Sequence, residues 1–271
     1  MLRIMENPKM DMAKFLILLA ALAACCGWSA AVPAAPAPER AFVVVAEHPH
    51  DISAYTEGLV YEDGHLYEST GLVGQSSLRE SDAASGRLLR LRPLAAPYFG
   101  EGLARIGHRW LQLTWTSHIG FLYNDALQPV GRFDYRGEGW GLAYDGSVLL
   151  LSDGTAVVRL LDPSTFKEVG HIAVHDDGLP VARLNELEYA QGRIFANVFM
   201  TDRIAEIDPA TGSVHAWLDL TSLHQSLKLP ANWDERQNVA NGIAFDPQSG
   251  HFFVTGKRWP TVFEIRLADD P

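Results

Sequence analysis

From Ala41 to Leu267 the apolar residues fall into short runs broken by Asp, Gly, Pro and Ser, with almost no helical spacing. Runs of that length, bounded by turn residues, predict β-strands. The runs also repeat. One large side chain, usually followed by glycine, opens an apolar strand at Glu57-Gly58-Leu59-Val60-Tyr61, Glu101-Gly102-Leu103, Trp140-Gly141-Leu142-Ala143-Tyr144, Asn185-Glu186-Leu187-Glu188-Tyr189 and Asn241-Gly242-Ile243-Ala244-Phe245. Measured between residues 58, 102, 141, 186 and 242, the steps are 44, 39, 45 and 56 residues.

Each opening predicts three more strands. Second strands are expected at His65–Ser69, Arg109–Trp115, Ser147–Ser152, Arg193–Phe199 and His251–Thr255, and third strands at Ser77–Ser81, Gly120–Asn124, Val157–Asp162, Arg203–Asp208 and Thr261–Leu267. Fourth strands follow at Leu88–Arg92, Val130–Tyr135, Glu168–Val174 and Ser213–Leu218, with turns such as Asp145-Gly146 and Asp208-Pro209-Ala210-Thr211-Gly212 between strands. Repeats of about 40–45 residues with four strands each predict an all-β fold, a five-bladed β-propeller. The fifth unit ends near Leu267 without a fourth strand. The strand-like Ala41–Ala46 precedes the first unit, so this N-terminal strand is expected to complete the last blade and close the ring. The long fourth step comes from Asp219–Asn238, whose Leu220, Leu223, Leu227 and Leu229 precede Pro230. This segment is expected to be a helical excursion over one face of the propeller.

Residues 1–40 read differently. Lys9 and Lys14 precede the apolar run Phe15–Leu22, which is short for a membrane span but suits an export signal. Leu22-Ala23-Ala24-Cys25 resembles a bacterial lipoprotein cleavage box, which would put a lipid on Cys25; the alternative is ordinary cleavage near Ala30 or Ala31. Either places residues 41–271, the propeller domain, outside the cytoplasm, periplasmic or secreted. Ala31–Ala37 reads as an extended Ala/Pro linker.

Composition narrows the chemistry. The net charge of -11 and the scattered basic residues speak against a nucleic-acid partner. The two cysteines, Cys25 and Cys26, both lie in the leader, so the propeller has neither disulfide nor thiol nucleophile. The ten histidines are spread singly, without zinc spacing. No metal or other cofactor is expected in catalysis, although a structural cation in the central channel is compatible with the fold.

In a propeller the inner strands line a central channel. The five openings therefore bring Glu57, Glu101, Trp140, Asn185 or Glu186, and Asn241 together, with Trp115, Phe199 and Lys257 at nearby strand ends. Convergent carboxylates, amides, rings and a lysine mark a candidate site. A carboxyl beside an apolar wall such as Trp115 has its charged form disfavoured, so the Glu101 pKa is expected to rise into the range of proton transfer.

The motifs Tyr55-Thr56-Glu57-Gly58-Leu59, Phe99-Gly100-Glu101-Gly102, Leu113-Thr114-Trp115, Gly137-Glu138-Gly139-Trp140-Gly141-Leu142, Leu184-Asn185-Glu186-Leu187-Glu188-Tyr189, Val239-Ala240-Asn241-Gly242 and Thr255-Gly256-Lys257 with Trp259-Pro260 resemble those of the plant and bacterial glutaminyl-peptide cyclotransferases. The resemblance spans roughly residues 42–267. It implies a five-bladed propeller that converts the N-terminal glutamine of a peptide or protein into pyroglutamate and releases ammonia. It implies Glu101 as the proton-handling carboxylate. It also implies Trp115, Trp140, Asn185 and Lys257 in the active site, with Phe99 beside them, and no catalytic zinc; our reading adds Glu57 to the catalytic set with Glu101, Asn185 and Lys257, and Phe199, Asn241 and Trp259 to the substrate side with Phe99, Trp115 and Trp140. The chain departs from the pattern twice: Glu57 stands where plant members carry Gln, and Phe199 where members often carry Trp. A monomer is expected.

Two other readings suit the same residues. Glu57, Asn185 and Asn241 resemble the oxygen ligands with which a propeller lactonase holds calcium, although such enzymes usually have six blades. A non-catalytic binding propeller is the other, and its channel would be plugged with apolar residues rather than lined by carboxylates.

Overall fold

The computed structural model describes residues 35–230 and 233–269, and the expected export signal, with Cys25, lies outside them. Five four-stranded antiparallel sheets make the five blades. Blade 1 is β2 (Thr56–Glu62), β3 (His65–Thr70), β4 (Ser77–Asp82) and β5 (Leu88–Pro93). Blade 2 is β6 (Gly100–Ile106), β7 (Arg109–Thr114), β8 (Ile119–Tyr123) and β9 (Pro129–Asp134). Blade 3 is β10 (Leu142–Tyr144), β11 (Leu149–Leu151), β12 (Val157–Leu161) and β13 (Glu168–Ala173). After a small hairpin, β14 (His175–Asp176) and β15 (Leu179–Pro180), blade 4 follows as β16 (Leu184–Ala190), β17 (Arg193–Val198), β18 (Arg203–Ile207) and β19 (Val214–Asp219). Blade 5 joins β20 (Ala240–Asp246), β21 (His251–Gly256) and β22 (Thr261–Leu267) to β1 (Phe42–Pro49).

The N-terminal strand closes the ring as expected. β1 runs antiparallel to β22, from Phe42 opposite Leu267 to Pro49 opposite Thr261, past its expected end at Ala46. Each inner strand packs against the next: β2 on β6, β6 on β10, β10 on β16, β16 on β20, and β20 back on β2. Apolar side chains fill five seams, one between each pair of neighbouring blades. Leu103 and Trp110 meet Tyr67 and Leu78 between blades 1 and 2, for example, and Phe195 meets Phe252 between blades 4 and 5. Burial of this kind contributes roughly 25 cal/mol per Å² of apolar surface, so the seams rather than the exposed outer strands hold the ring together.

The repeated openings have a structural cause. Four inner strands carry a β-bulge there, between Thr56 and Gly58, Gly100 and Leu103, Leu184 and Leu187, and Ala240 and Ile243. A bulge inserts an extra residue and re-aims a side chain away from the sheet. The residue that follows crosses close to the next blade. A Cβ at Gly102 would collide with the Leu142 amide, and one at Gly141 with the Asn185 carbonyl. Blade 4 has Glu186 in place of this glycine. Its buried carboxylate spans the bore, accepting the N–H of Leu59 at 3.2 Å and of Ile243 at 2.8 Å.

Two segments differ from their sequence expectation. Among the described residues of Asp219–Asn238, only Thr221–Ser226 is α-helical. Its Leu220 and Leu223 fill the seam between blades 4 and 5, so their apolar character serves packing more than helix formation. The end of the expected linker is also docked. The Ala37 N–H donates to Asp176 Oδ1 at 2.7 Å, Glu39 bridges Trp217 in parallel, and Arg40 pairs with buried Glu206 at 2.9 Å. Backbone bonding along β19 therefore brings residues 37–40 into the propeller body.

Candidate active site

The bulged openings and the second-strand ends surround a cavity of about 430 Å³ lined by Tyr55, Glu57, Leu72, Phe99, Glu101, Trp115, Trp140, Asn185, Phe199, Gln237 and Lys257. Residues from all five inner-strand units thus contribute to the cavity or to the layer behind it.

Glu57 and Lys257 form its charged floor. The Lys257 ammonium lies 2.7 Å from both Glu57 oxygens, and both side chains are buried. Asn241 stands behind them: its Nδ2 donates to Glu57 Oε2 at 3.1 Å and to the Thr56 carbonyl at 3.0 Å. Burial pushes the Glu57 pKa up to about 6, against the pull of Lys257. Burial alone would lower the lysine, but Glu57 and Glu101 outweigh it and raise its pKa. At neutral pH the pair is charged on both sides.

Glu101 sits in the bulge of β6, 6% exposed, and its carboxyl accepts no hydrogen bond from the described residues. Burial first, and the Glu57 charge second, raise its pKa well above the usual carboxylate range, with a further contribution from Glu138. Glu57 ionised beside Glu101 protonated is the division of states that like-charged neighbours in a buried site produce.

Aromatic rings make the walls. Phe99 meets Trp115 edge-on at 5.7 Å and Tyr55 at 6.3 Å, and Trp140 meets Phe199 edge-on at 5.6 Å. Lys257 Nζ lies 4.8 Å from the Tyr55 ring centre and 5.5 Å from that of Phe199, where ring faces attract a cation. Trp115, 41% exposed, stands in contact with solvent. A second polar network anchors the floor. Thr56 Oγ1 donates to Glu68 at 2.7 Å, and His50 reaches Glu68 through Nε2 at 3.2 Å and the Trp259 carbonyl through Nδ1 at 2.7 Å. This network ties the start of β2 to the turn that carries Lys257.

The structure brings Glu57, Glu101, Asn185, Lys257, Phe99, Trp115, Trp140 and Phe199 to one cavity, as the sequence led us to expect. Two expected substrate contacts do not reach it. Trp259 is fully buried, stacked on His224 at 5.0 Å, with its indole N–H bonded to the Asn238 carbonyl at 3.0 Å. It packs the seam between blades 4 and 5. Asn241 is likewise fully buried and supports Glu57 from behind. The choice between Asn185 and Glu186 resolves to Asn185 in the cavity wall and Glu186 in the bore. The calcium ligand set is not assembled either: both Glu57 oxygens already face the Lys257 ammonium, which a cation would have to displace. Among the described residues no group of three or more His, Cys, Asp or Glu side chains is arranged to hold a metal ion.

Three lining residues escaped the sequence reading. Tyr55 lies inside a quoted motif and could have been found as the ring two positions before Glu57, while Leu72 comes just after β3. Gln237 comes from the long connection before β20, where nothing in the sequence marks it. A larger groove of about 840 Å³ lies beside blades 2 and 3, but its buried cation, Arg159, is already bound to Glu168 and to the Arg136 carbonyl.

A closed ring of five blades around a pocket of buried carboxyls, an amide and aromatic rings defines a propeller enzyme. The chain belongs to the glutamine cyclotransferase family, whose model matches residues 17–267. It is 42% identical over 227 residues to the glutaminyl-peptide cyclotransferase of Arabidopsis thaliana, covering 83% of this chain and 70% of the relative. It also superposes on the crystal structure of Myxococcus xanthus glutaminyl cyclase with a TM-score of 0.79 at 39% identity, covering 85% of this chain and 98% of the other.

Proposed function

We propose that this protein cyclises the N-terminal glutamine of peptides or proteins to pyroglutamate with release of ammonia, Glu101 moving the proton. The observation that carries the reading is the placement of Glu101: a buried carboxyl facing a ring-walled cavity, with no protein hydrogen bond from the described residues to occupy it.

The chemistry needs little beyond this. The substrate's neutral α-amine attacks its own γ-carboxamide carbon, forming the ring C–N bond. The amine nitrogen must then lose a proton and the departing nitrogen gain one, since ammonia leaves far better than an amide anion. Protonated Glu101 gives its proton to the departing nitrogen and takes one from the attacking nitrogen, so the carboxyl ends as it began. Such acid–base help contributes about 10²–10⁴-fold. Asn185, or the remaining N–H of Lys257, donates to the oxygen that gains charge in this reading. The aromatic walls hold the side chain curled over the amine, which supplies proximity. Glu57 keeps Lys257 in place and keeps Glu101 protonated.

The leader residues support export, with the reaction taking place in the periplasm or outside the cell, and Cys25 supports a lipid anchor as one form of that export. Ammonia release from a Gln-initiated peptide tests the activity. A purified protein that releases none, while the same peptide stays linear by mass, would refute it.

A further inference from the structure

Glu138 lies on the connection between β9 and β10, outside the cavity lining, yet it is bonded to two of the walls. Its Oε2 accepts the indole N–H of Trp115 at 2.7 Å and the indole N–H of Trp140 at 2.8 Å. The two indoles come from different blades, Trp115 at the end of β7 and Trp140 just before β10. The backbone beside Glu138 reinforces the link, since the Gly139 N–H donates to the Trp115 carbonyl at 3.2 Å.

An indole has a single polar atom, so one strong acceptor fixes how the ring can turn. A carboxylate oxygen shared by two donors also fixes the distance between their rings. Mere satisfaction of the donors does not require this arrangement. Trp115 is 41% exposed, and water is available to its N–H. Trp140 has other supports, lying across Gly154 and edge-on to Phe199. Trp115 has the Phe99 edge and Glu138.

We propose that Glu138 is a positioning residue for cyclisation: one carboxylate oxygen that braces two aromatic walls from neighbouring blades at the separation a curled glutamine side chain needs. The proposal rests on the cyclotransferase reading of the cavity.

The test compares Glu138→Ala with Glu138→Gln, whose amide oxygen still accepts both indoles. Steady-state ammonia release should show KM raised about tenfold or more in the alanine variant, the order expected from lost hydrogen bonds to a charged group. Its kcat should stay within a few-fold of wild type, and the glutamine variant should recover most of the KM. In substrate-free protein the indole ¹⁵N–¹H signals of Trp115 and Trp140, assigned with Trp115→Phe and Trp140→Phe, should both move in Glu138→Ala and return toward wild type in Glu138→Gln. A wild-type KM in the alanine variant despite displaced indole signals overturns the proposal, as does a folded glutamine variant as impaired as alanine. Absence of ammonia release from the wild type would fail the cyclotransferase reading instead, while the indole signals would still report the brace.

Discussion

The Lys257 ammonium sits 2.7 Å from each carboxylate oxygen of Glu57, although 200 residues separate the two in the chain. The bond crosses from the last blade to the first at the floor of the cavity, so the two charges meet only where the ring closes. Removing one partner leaves the other charge buried without compensation. Lys257→Met is therefore expected to lower stability by about 3–5 kcal/mol. The double variant Glu57→Gln/Lys257→Met should lose clearly less than the sum of the two single changes. Urea unfolding of the four proteins checks this, and strict additivity would mean that the pair is not coupled.

Glu101 is held protonated by burial and then by the neighbouring Glu57 charge. Taking that charge away lets its pKa fall, and the Lys257 cation left behind pulls it the same way. The alkaline limb of kcat/KM against pH, where protonated Glu101 is lost, should accordingly move to lower pH in Glu57→Gln. An alkaline limb that stays in place, or moves upward, would show that another group sets it.

Glu101→Gln keeps the shape of the side chain and removes its capacity to exchange a proton. Turnover is expected to drop about 10²–10⁴-fold with KM little changed. Melting temperature should hold or rise, because a buried ionisable group has been replaced by a neutral one. Near wild-type turnover would take Glu101 out of the reaction.

At the bore, Gly102→Ala drives a methyl into the Leu142 amide. A cost of about 1–3 kcal/mol is expected for such overpacking. Glu186→Gln replaces one of two acceptors with a donor, leaving the N–H of Leu59 or Ile243 unsatisfied, and should cost about 1–3 kcal/mol. Both variants should melt earlier, with KM per folded molecule unchanged.

How far the sequence could be read follows from how local each cause is. The strands and the fourfold rhythm were legible because the seams demand an apolar run at each strand, and turns demand Asp, Gly and Pro. The bulge residues were legible as a repeated opening, since four of the five blades cross the axis at a crowded glycine. Trp259 misled because a tryptophan beside Lys257 reads alike whether its ring faces the cavity or the seam. The register of β21 on β22 and the turn at Gly256–Trp259 decide that, and they send the ring into the seam between blades 4 and 5. Gln237 and the partnership of Glu138 with two indoles left no mark at all, because each depends on where separate blades come to rest.

The amino-acid order alone determined an all-β ring of five repeats, its closure by the first strand, and the convergence of Glu57, Glu101, Asn185 and Lys257, all consequences of periodic burial. Only the tertiary structure decided which of two adjacent residues faces the cavity and which plugs the bore, and which carboxylate takes the lysine so that the other keeps its proton. Those choices depend on distances of a few ångströms between side chains brought together by folding, and electrostatic energies among buried groups vary steeply over that range.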